Sequence, residues 1–253
     1  MTPSALERRL ASHIELTDRE REEIASLTSS RTNYLARGIV PYDPQAPDPL
    51  VVEAGALVER VLDAEGRSHI QHLLVPGDVI GLSRLPLTHH SVELQTTTPV
   101  VLSRLPRHRL RSSVQTRLGR LFGGLAAAEH VSDLARMRVV GCGRAEERII
   151  HLFLELNGRQ RRVVRGMGDR LWCPFPQSDL GAAVGLTNVY VSKMMSRLRD
   201  RGALRDGDGM IELHDKDWLA EEVGYEDPHD ALDLAWIEEG HASGPERQAS
   251  MHD

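Results

Sequence analysis

Near residue 190 the chain carries side chains that can hold phosphates and touch base edges. On a helix of 3.6 residues per turn, Val189, Ser192, Lys193, Ser196 and Arg197 share one side, and Val191, Met194, Met195 and Leu198 share the other. The first face has one apolar group, two hydroxyls and two cations, with no acid. In a DNA major groove, lysine suits guanine O6 and N7, an exposed valine suits a thymine methyl, and hydroxyls and arginine suit phosphates. Thr187 and Asn188 open this helix, and Ser178 lies near the start of a shorter helical pattern over residues 177–184. The candidate DNA contacts are Ser178, Thr187, Asn188, Val189, Ser192, Lys193 and Arg197. The solvated face of an ordinary helical hairpin would look similar, so the surroundings must decide.

Those surroundings favour DNA. Gly185-Leu186 is a tight connection, Thr187 is a good N-cap, and Gly202 ends the second helix. Helix, short glycine turn and helix make a helix-turn-helix. Residues 204–211, with Asp206-Gly207-Asp208-Gly209, read as a hairpin, the wing of a winged helix. The overall net charge of −6 hides an asymmetry: residues 1–103 carry −5, 104–138 carry +6, 139–205 carry +6 and 206–253 carry −13. A basic middle between acidic ends suits an anionic partner. Arginine abundance by itself says little, because 29 of 31 basic residues are Arg throughout the chain.

Other chemistries fare worse. His69, His72, His89 and His90 lie in a strand-rich region, where clustered histidines could suggest a metal enzyme in a small barrel. His69 and His72, three apart, would face opposite sides of one strand, whereas a metal site needs its ligands on one face. No Ser-His-Asp arrangement, Walker loop or dinucleotide fingerprint is present, so the chain does not read as an enzyme, and neither a metal nor a cofactor is expected. Cys142 and Cys173, expected to be buried small residues, exclude a disulfide framework and a four-cysteine cluster, and suit a reduced cytoplasm. No apolar run approaches the roughly 18 residues of a membrane helix, and no signal-peptide pattern opens the chain.

The elements around these residues fall into an α+β order. Residues 4–13 form an amphipathic helical pattern, and Thr17-Asp18-Arg19-Glu20 fits a capping box. Four prolines between Pro41 and Pro49 mark a loop. Short apolar runs at 50–62, 68–75, 79–82, 92–95 and 100–102, with turn signals between them, predict a β-roll or jelly-roll. A long helix follows Pro106. Val114, Leu118, Leu121, Leu125, Ala128, Ser132, Ala135 and Val139 recur at spacings of four and three, which predicts a dimer seam. Gly141-Cys142-Gly143 predicts a hinge, residues 145–156 a helix, and two short strands are expected around Gly166-Met167-Gly168-Asp169. The boundaries expected are a β-roll sensor domain at 1–112, a dimerisation helix at 113–140, a winged helix-turn-helix at 141–220 and an acidic tail at 221–253. That tail is expected to pack back to about Ala235, with Leu232, Leu234 and Trp236 partly buried, and to be disordered beyond Gly240.

Taken together, Leu62-Asp63-Ala64-Glu65-Gly66-Arg67, Val75-Pro76-Gly77-Asp78-Val79-Ile80-Gly81-Leu82, Ala145-Glu146-Glu147-Arg148-Ile149, Asp179-Leu180 and Gly185-Leu186-Thr187 resemble the Crp/Fnr family of bacterial transcription regulators over residues 16–220. The resemblance implies a cyclic-nucleotide-binding-like β-roll, a long dimer helix and a C-terminal winged helix. It also implies a homodimer on palindromic double-stranded DNA, contact with RNA polymerase, and an effector pocket that would involve Gly77, Asp78, His90 and Ser91. In cyclic-AMP-binding members an Arg-Ser pair holds the phosphate; here the matching positions are His90-Ser91, which removes the main charge-assisted contact. The expected function is therefore a homodimeric DNA-binding regulator that does not answer to cyclic AMP, its small-molecule effector unspecified. The alternative is a ligand- or metal-sensing β-roll protein acting mainly through protein contacts.

Overall fold

The computed structural model describes residues 2–43, 45, 47–89 and 91–238. Two helices open the chain, α1 (Ala5–Ala11) and α2 (Asp18–Leu27). The Thr17 hydroxyl accepts from the Glu20 N–H while the Glu20 carboxylate accepts from the Thr17 N–H, completing the capping box.

Eight strands follow: β1 (Arg31–Tyr34), β2 (Ile39–Val40), β3 (Leu50–Ala54), β4 (Leu57–Leu62), β5 (Ser68–Leu74), β6 (Val79–Ile80), β7 (Glu93–Thr96) and β8 (Val100–Arg104). They form two antiparallel four-stranded sheets, ordered β1-β8-β3-β6 and β2-β7-β4-β5. This is the expected roll. β1 and β2 escaped the sequence reading because Arg31–Tyr34 is polar and mostly exposed, and β2 has only two residues. The 50–62 run divides at Gly55, where φ is +82° and a Cβ would lie 2.0 Å from the Pro99 carbonyl oxygen. Leu50 and Val52 face the core between the sheets, and Val51 faces α1 and the long helix. Both faces of β3 are covered, so its sequence is continuously apolar.

The helical stretch after Pro106 is two helices, α3 (Arg107–Ser112) and α4 (Arg117–Cys142). Thr116 caps α4, and Gly119 packs so closely on the Ser113 carbonyl that a Cβ would sit 1.9 Å from its oxygen. The helix expected over 113–140 therefore starts at Arg117, and exposed Val114 lies outside it. It runs through Gly141 and Cys142; the break is Gly143 alone, where a Cβ would meet the Val139 carbonyl at 2.6 Å. Cys142 is exposed and Cys173 half-buried, so only the second fits the expectation of burial.

The predicted seam is corrected more strongly. Leu118, Leu121 and Leu125 are 1 %, 0 % and 0 % exposed, packed against Leu6, Leu10, Ile24 and Leu105 of their own chain. The four-three spacing marked the face that closes the roll. A second stripe, Gly123, Ala127, His130, Leu134, Met137 and Gly141, has the same spacing and lies in the open.

Past the break come α5 (Ala145–Arg161), β9 (Arg170–Leu171), α6 (Gln177–Val184), α7 (Asn188–Asp200), β10 (Leu204–Gly207), β11 (Met210–Leu213) and α8 (Lys216–Val223). Only one strand, β9, forms around 166–169, and α5 extends beyond residue 156. Buried polar side chains on α5 do the work expected of strand pairing. Asn157 donates to the Gly168 and Arg170 carbonyls, and Gln160 pairs with both backbone groups of Trp172. The core of this head includes Val58, Leu73 and Val75 of the roll, so the head sits directly on β4 and β5.

The described part of 221–253 packs back as expected to about Ala235, forming an ordered strap that continues to Glu238. After α8 it makes a 3-10 turn (Pro228–Ala231) and a short α9 (Leu234–Glu238). Asp227 and Asp230 pair with Arg161 and Arg162, and buried His229 meets Arg9. Ile237 is the buried anchor, while Leu234 and Trp236 are largely exposed and Leu232 is half-buried. Residues beyond Gly240, expected to be disordered, lie outside the described residues.

Candidate nucleic-acid interface

The helix-turn-helix forms as the residues dictate. Gly185 ends α6 in the left-handed region at φ +67°, which favours glycine. Gly181 lets the turn fold back, because a Cβ there would meet the Leu186 carbonyl oxygen at 2.4 Å. The Thr187 hydroxyl caps α7 by accepting from the Tyr190 N–H. Val191, Met194, Met195 and Leu198 are buried, and Asn188, Val189, Ser192, Lys193, Ser196 and Arg197 are exposed. Val189 is 75 % exposed, a large apolar side chain held in water with no packing role. Ser178 is exposed near the start of α6.

Charge on this face is available. Among the described residues Lys193 makes no ion pair, and Arg197 reaches only Glu146, at 3.9 Å. Arg199 and Arg201 are engaged, the first by Asp206 and the second by Glu222 and the Trp218 ring. The wing is a two-residue hairpin with Asp208 and Gly209 both at positive φ, the twist that tight antiparallel strands need. Arg205 on β10 is exposed and, among the described residues, unpaired. Two further exposed side chains on this surface were not singled out from sequence: Arg205, and Tyr190, which is 44 % exposed on α7. Tyr190 was legible on the helical wheel, since it borders the Val189 side; Arg205 depended on knowing which acids engage its neighbours.

A winged helix-turn-helix beneath a two-sheet roll, joined by one long helix, decides the relationship. A family model described as "Crp-like helix-turn-helix domain" matches residues 147–222. The chain thus carries a Crp-like helix-turn-helix domain and is similar to Crp/Fnr transcription regulators. It is 26 % identical over 213 residues to the transcriptional regulatory protein btr of Bordetella pertussis, covering 82 % of this chain and 86 % of that one. It is 27 % identical over 157 residues to the nitrogen fixation regulation protein FixK of Rhizobium meliloti, covering 61 % and 69 %. Its fold matches the structure of FixK2 from Bradyrhizobium japonicum with a TM-score of 0.61, at 23 % identity over 76 % of this chain and 96 % of that one. As a Crp/Fnr-type protein the chain is a DNA-binding transcription regulator. No helix among the described residues is long and apolar enough to cross a membrane.

Of the four expected effector residues, Gly77, Asp78 and Ser91 are among the described residues. Asp78 is buried with both oxygens engaged: Arg9 at 2.7 Å on one, Arg159 at 2.6 Å and the Val75 N–H at 2.9 Å on the other. Gly77, at φ +93°, lets the roll approach the loop after α5, because a Cβ would meet the Val163 side chain at 2.4 Å. Ser91 is exposed, and His90 lies outside the described residues. Asp78 is thus a structural junction rather than a ligand contact.

Beside it, between the roll, α4 and α5, lies a cavity of about 60 Å³ walled by charge. His72 bridges Glu59 at 3.2 Å and Asp133 at 3.0 Å, and Arg136 forks onto Glu155. His69, by contrast, is exposed and meets Asp63. Burial works against charge on His72, but hydrogen bonds to Asp133 and Glu59 outweigh it and push the imidazole up to about 9. Glu155 is drawn down to about 2, because Arg136 and Arg159 overcome its burial. Burial pushes Glu129 the other way, up to about 7.

The raised folded-state value makes His72 a source of pH-dependent stability. Its contribution is complete below its unfolded value of about 6.5 and disappears as pH rises through about 9. Urea unfolding should therefore show the wild type losing stability between pH 6.5 and 9, and His72→Gln losing less over that interval. Equal slopes would show that His72 is not charged in the folded protein.

Proposed function

We propose that the protein is a homodimeric, sequence-specific DNA-binding regulator that does not respond to cyclic AMP. The observation that carries the DNA reading is the α7 face, where Val189 and Lys193 stand free at the centre of the exposed surface. In this reading Val189 and Lys193 reach base edges, Tyr190 and Asn188 border them, and Ser178, Thr187, Ser192, Arg197 and Arg205 hold phosphates. The DNA-contacting unit is the segment 141–220, with 1–112 as the sensor roll and α4 as the coupling helix. RNA polymerase is the protein partner this reading implies.

The homodimer rests on the open stripe of α4. Val131, Leu134 and Met137 are 50 %, 49 % and 69 % exposed, and Trp236 of the strap extends the apolar surface next to Gly123. A parallel pair of such helices would cover this stripe and space the two α7 faces for the half-sites of a palindrome. Cyclic AMP is disfavoured by size. The cavity walled by the acids Glu59, Asp78, Glu129, Asp133 and Glu155 and the cations His72, Arg84, Arg136 and Arg159 holds about 60 Å³, whereas small-molecule pockets take roughly 300 Å³ or more.

Three measurements test this reading. Leu134→Asp with Met137→Asp should sediment as a monomer while retaining wild-type circular dichroism. A dimer in that variant would place the interface elsewhere. Lys193→Ala should cost about 1–3 kcal/mol on the preferred site and flatten preference at one position per half-site, whereas Arg197→Ala should weaken all sequences alike and lower the salt dependence. Uniform weakening by Lys193→Ala would make Lys193 a phosphate contact. Calorimetry with millimolar cyclic AMP should give no saturable heat, and a micromolar dissociation constant would overturn that part of the reading.

A further inference from the structure

A second cavity lies on the other side of the head–roll junction. Its volume is about 560 Å³, within the range that holds small molecules. The roll supplies one wall, with Ala54, Gly55 and Pro76. The loop between α5 and β9, with Val164 and Met167, and Trp172 just after β9 supply the other, and Met210 of the wing closes one end. Among the described residues, neither Asp78, His72, Gly77 nor Ser91 lines this cavity.

Its walls are held in place before anything enters. Both backbone groups of Trp172 are pinned by the buried Gln160 side chain, at 3.0 and 2.7 Å. Val163 is locked under Gly77, and its carbonyl accepts from Arg8 Nε at 3.1 Å. The apolar cavity continues into a neighbouring cleft of about 250 Å³, and Arg8, Val163 and Arg165 line both. In that cleft Arg21, Arg161 and Arg162 are matched by Glu7, Asp227 and Asp230. Arg8, Arg165 and Arg170 differ. Among the described residues none of the three pairs with a carboxylate, and the Arg8 and Arg170 contacts are to backbone carbonyls. Glu53, the acid lining the cavity, has both oxygens engaged, by the Ala5 N–H and the Ser103 hydroxyl.

We propose that this cavity binds a small amphipathic anion, with a flat apolar body against Trp172, Met167 and Val164 and a carboxylate or sulfonate facing Arg8, Arg165 and Arg170. Aromatic and long-chain acids have this chemistry, and a guanidinium pair meets such a head group with charge-assisted hydrogen bonds. Because the roll forms one wall and the DNA-binding head the other, an occupant would bias how the two sit together. Only this last step rests on the DNA-binding reading; the site itself does not.

The test uses two probes with one apolar body, anilinonaphthalene sulfonate and the uncharged phenylnaphthylamine, titrated by fluorescence into the full chain without DNA. The sulfonate should bind saturably, one per chain, and about tenfold or more tighter than the amine. Arg165→Ala with Arg170→Ala should remove that advantage and leave amine binding unchanged. Ala54→Trp should fill the cavity and abolish both, with wild-type circular dichroism confirming its fold. Sulfonate binding that survives Ala54→Trp, or an amine that binds as tightly as the sulfonate to the wild type, overturns the proposal. A separate gel shift with and without the sulfonate reads the coupling, so a protein that binds the probe but no DNA would refute the regulator and leave the site standing.

Discussion

Asp78 accepts two arginines that arrive from distant parts of the chain, Arg9 from α1 and Arg159 from α5. It sits on a roll turn and also accepts from the Val75 N–H of that turn. A buried ion pair of this kind adds little net stability over an apolar replacement, because desolvation cancels much of the attraction. Breaking one is costly, since it would strand Arg9, whose side chain is 1 % exposed, without its counter-charge. What the junction supplies is position. With Gly77 pressed on Val163 beside it, it fixes where the DNA-binding head sits on the roll.

From that junction the charges alternate along the roll, α4 and α5: Glu59, His72 and Asp133, then Arg136, Glu155 and Arg159. Each acid lies between cations, which is why Glu59 and Glu155 stay ionised despite burial. The arrangement fills the space between roll and helix with protein charge, leaving room for little more than water. Apolar space is found on the far side of the junction instead, where few side chains cross between roll and head.

The strap completes the same frame. Gly158 accepts the close approach of Asp227, His229 enters the pocket formed by Arg9 and His13, and Ile237 reaches the helices that close the roll. Burial and the neighbouring arginines hold His229 well below the usual histidine range, so it is neutral there and can accept from Arg9. The chain's last described helix thus joins its first, and α4 is covered along one face and open along the other.

Much was legible from local pattern. The roll strands with turn signals, the capping box at Thr17, the Gly185 turn, the buried and exposed sides of α7 and the Asp208-Gly209 wing follow from side-chain periodicity and backbone preference within short windows, and each formed. Three things were not legible. A four-three repeat marks a helix face that wants cover but does not say whether the cover is the same chain or another; α4 has two such faces, and only the packing of α1, α2 and the strap shows that Leu121 and Leu125 are inside while Leu134 and Met137 are not. Asp78 looked like a ligand contact because its turn resembles one, and only the arrival of Arg9 and Arg159 from 69 and 81 residues away shows its oxygens to be taken. The acidic C-terminal segment was expected to pack back to about Ala235, but which arginines Asp227 and Asp230 would meet was not legible. Sequence determines the period and polarity of each element, because those are local; which charge meets which, and which apolar stripe stays open, are decided by contacts between distant segments that exist only once the chain has folded.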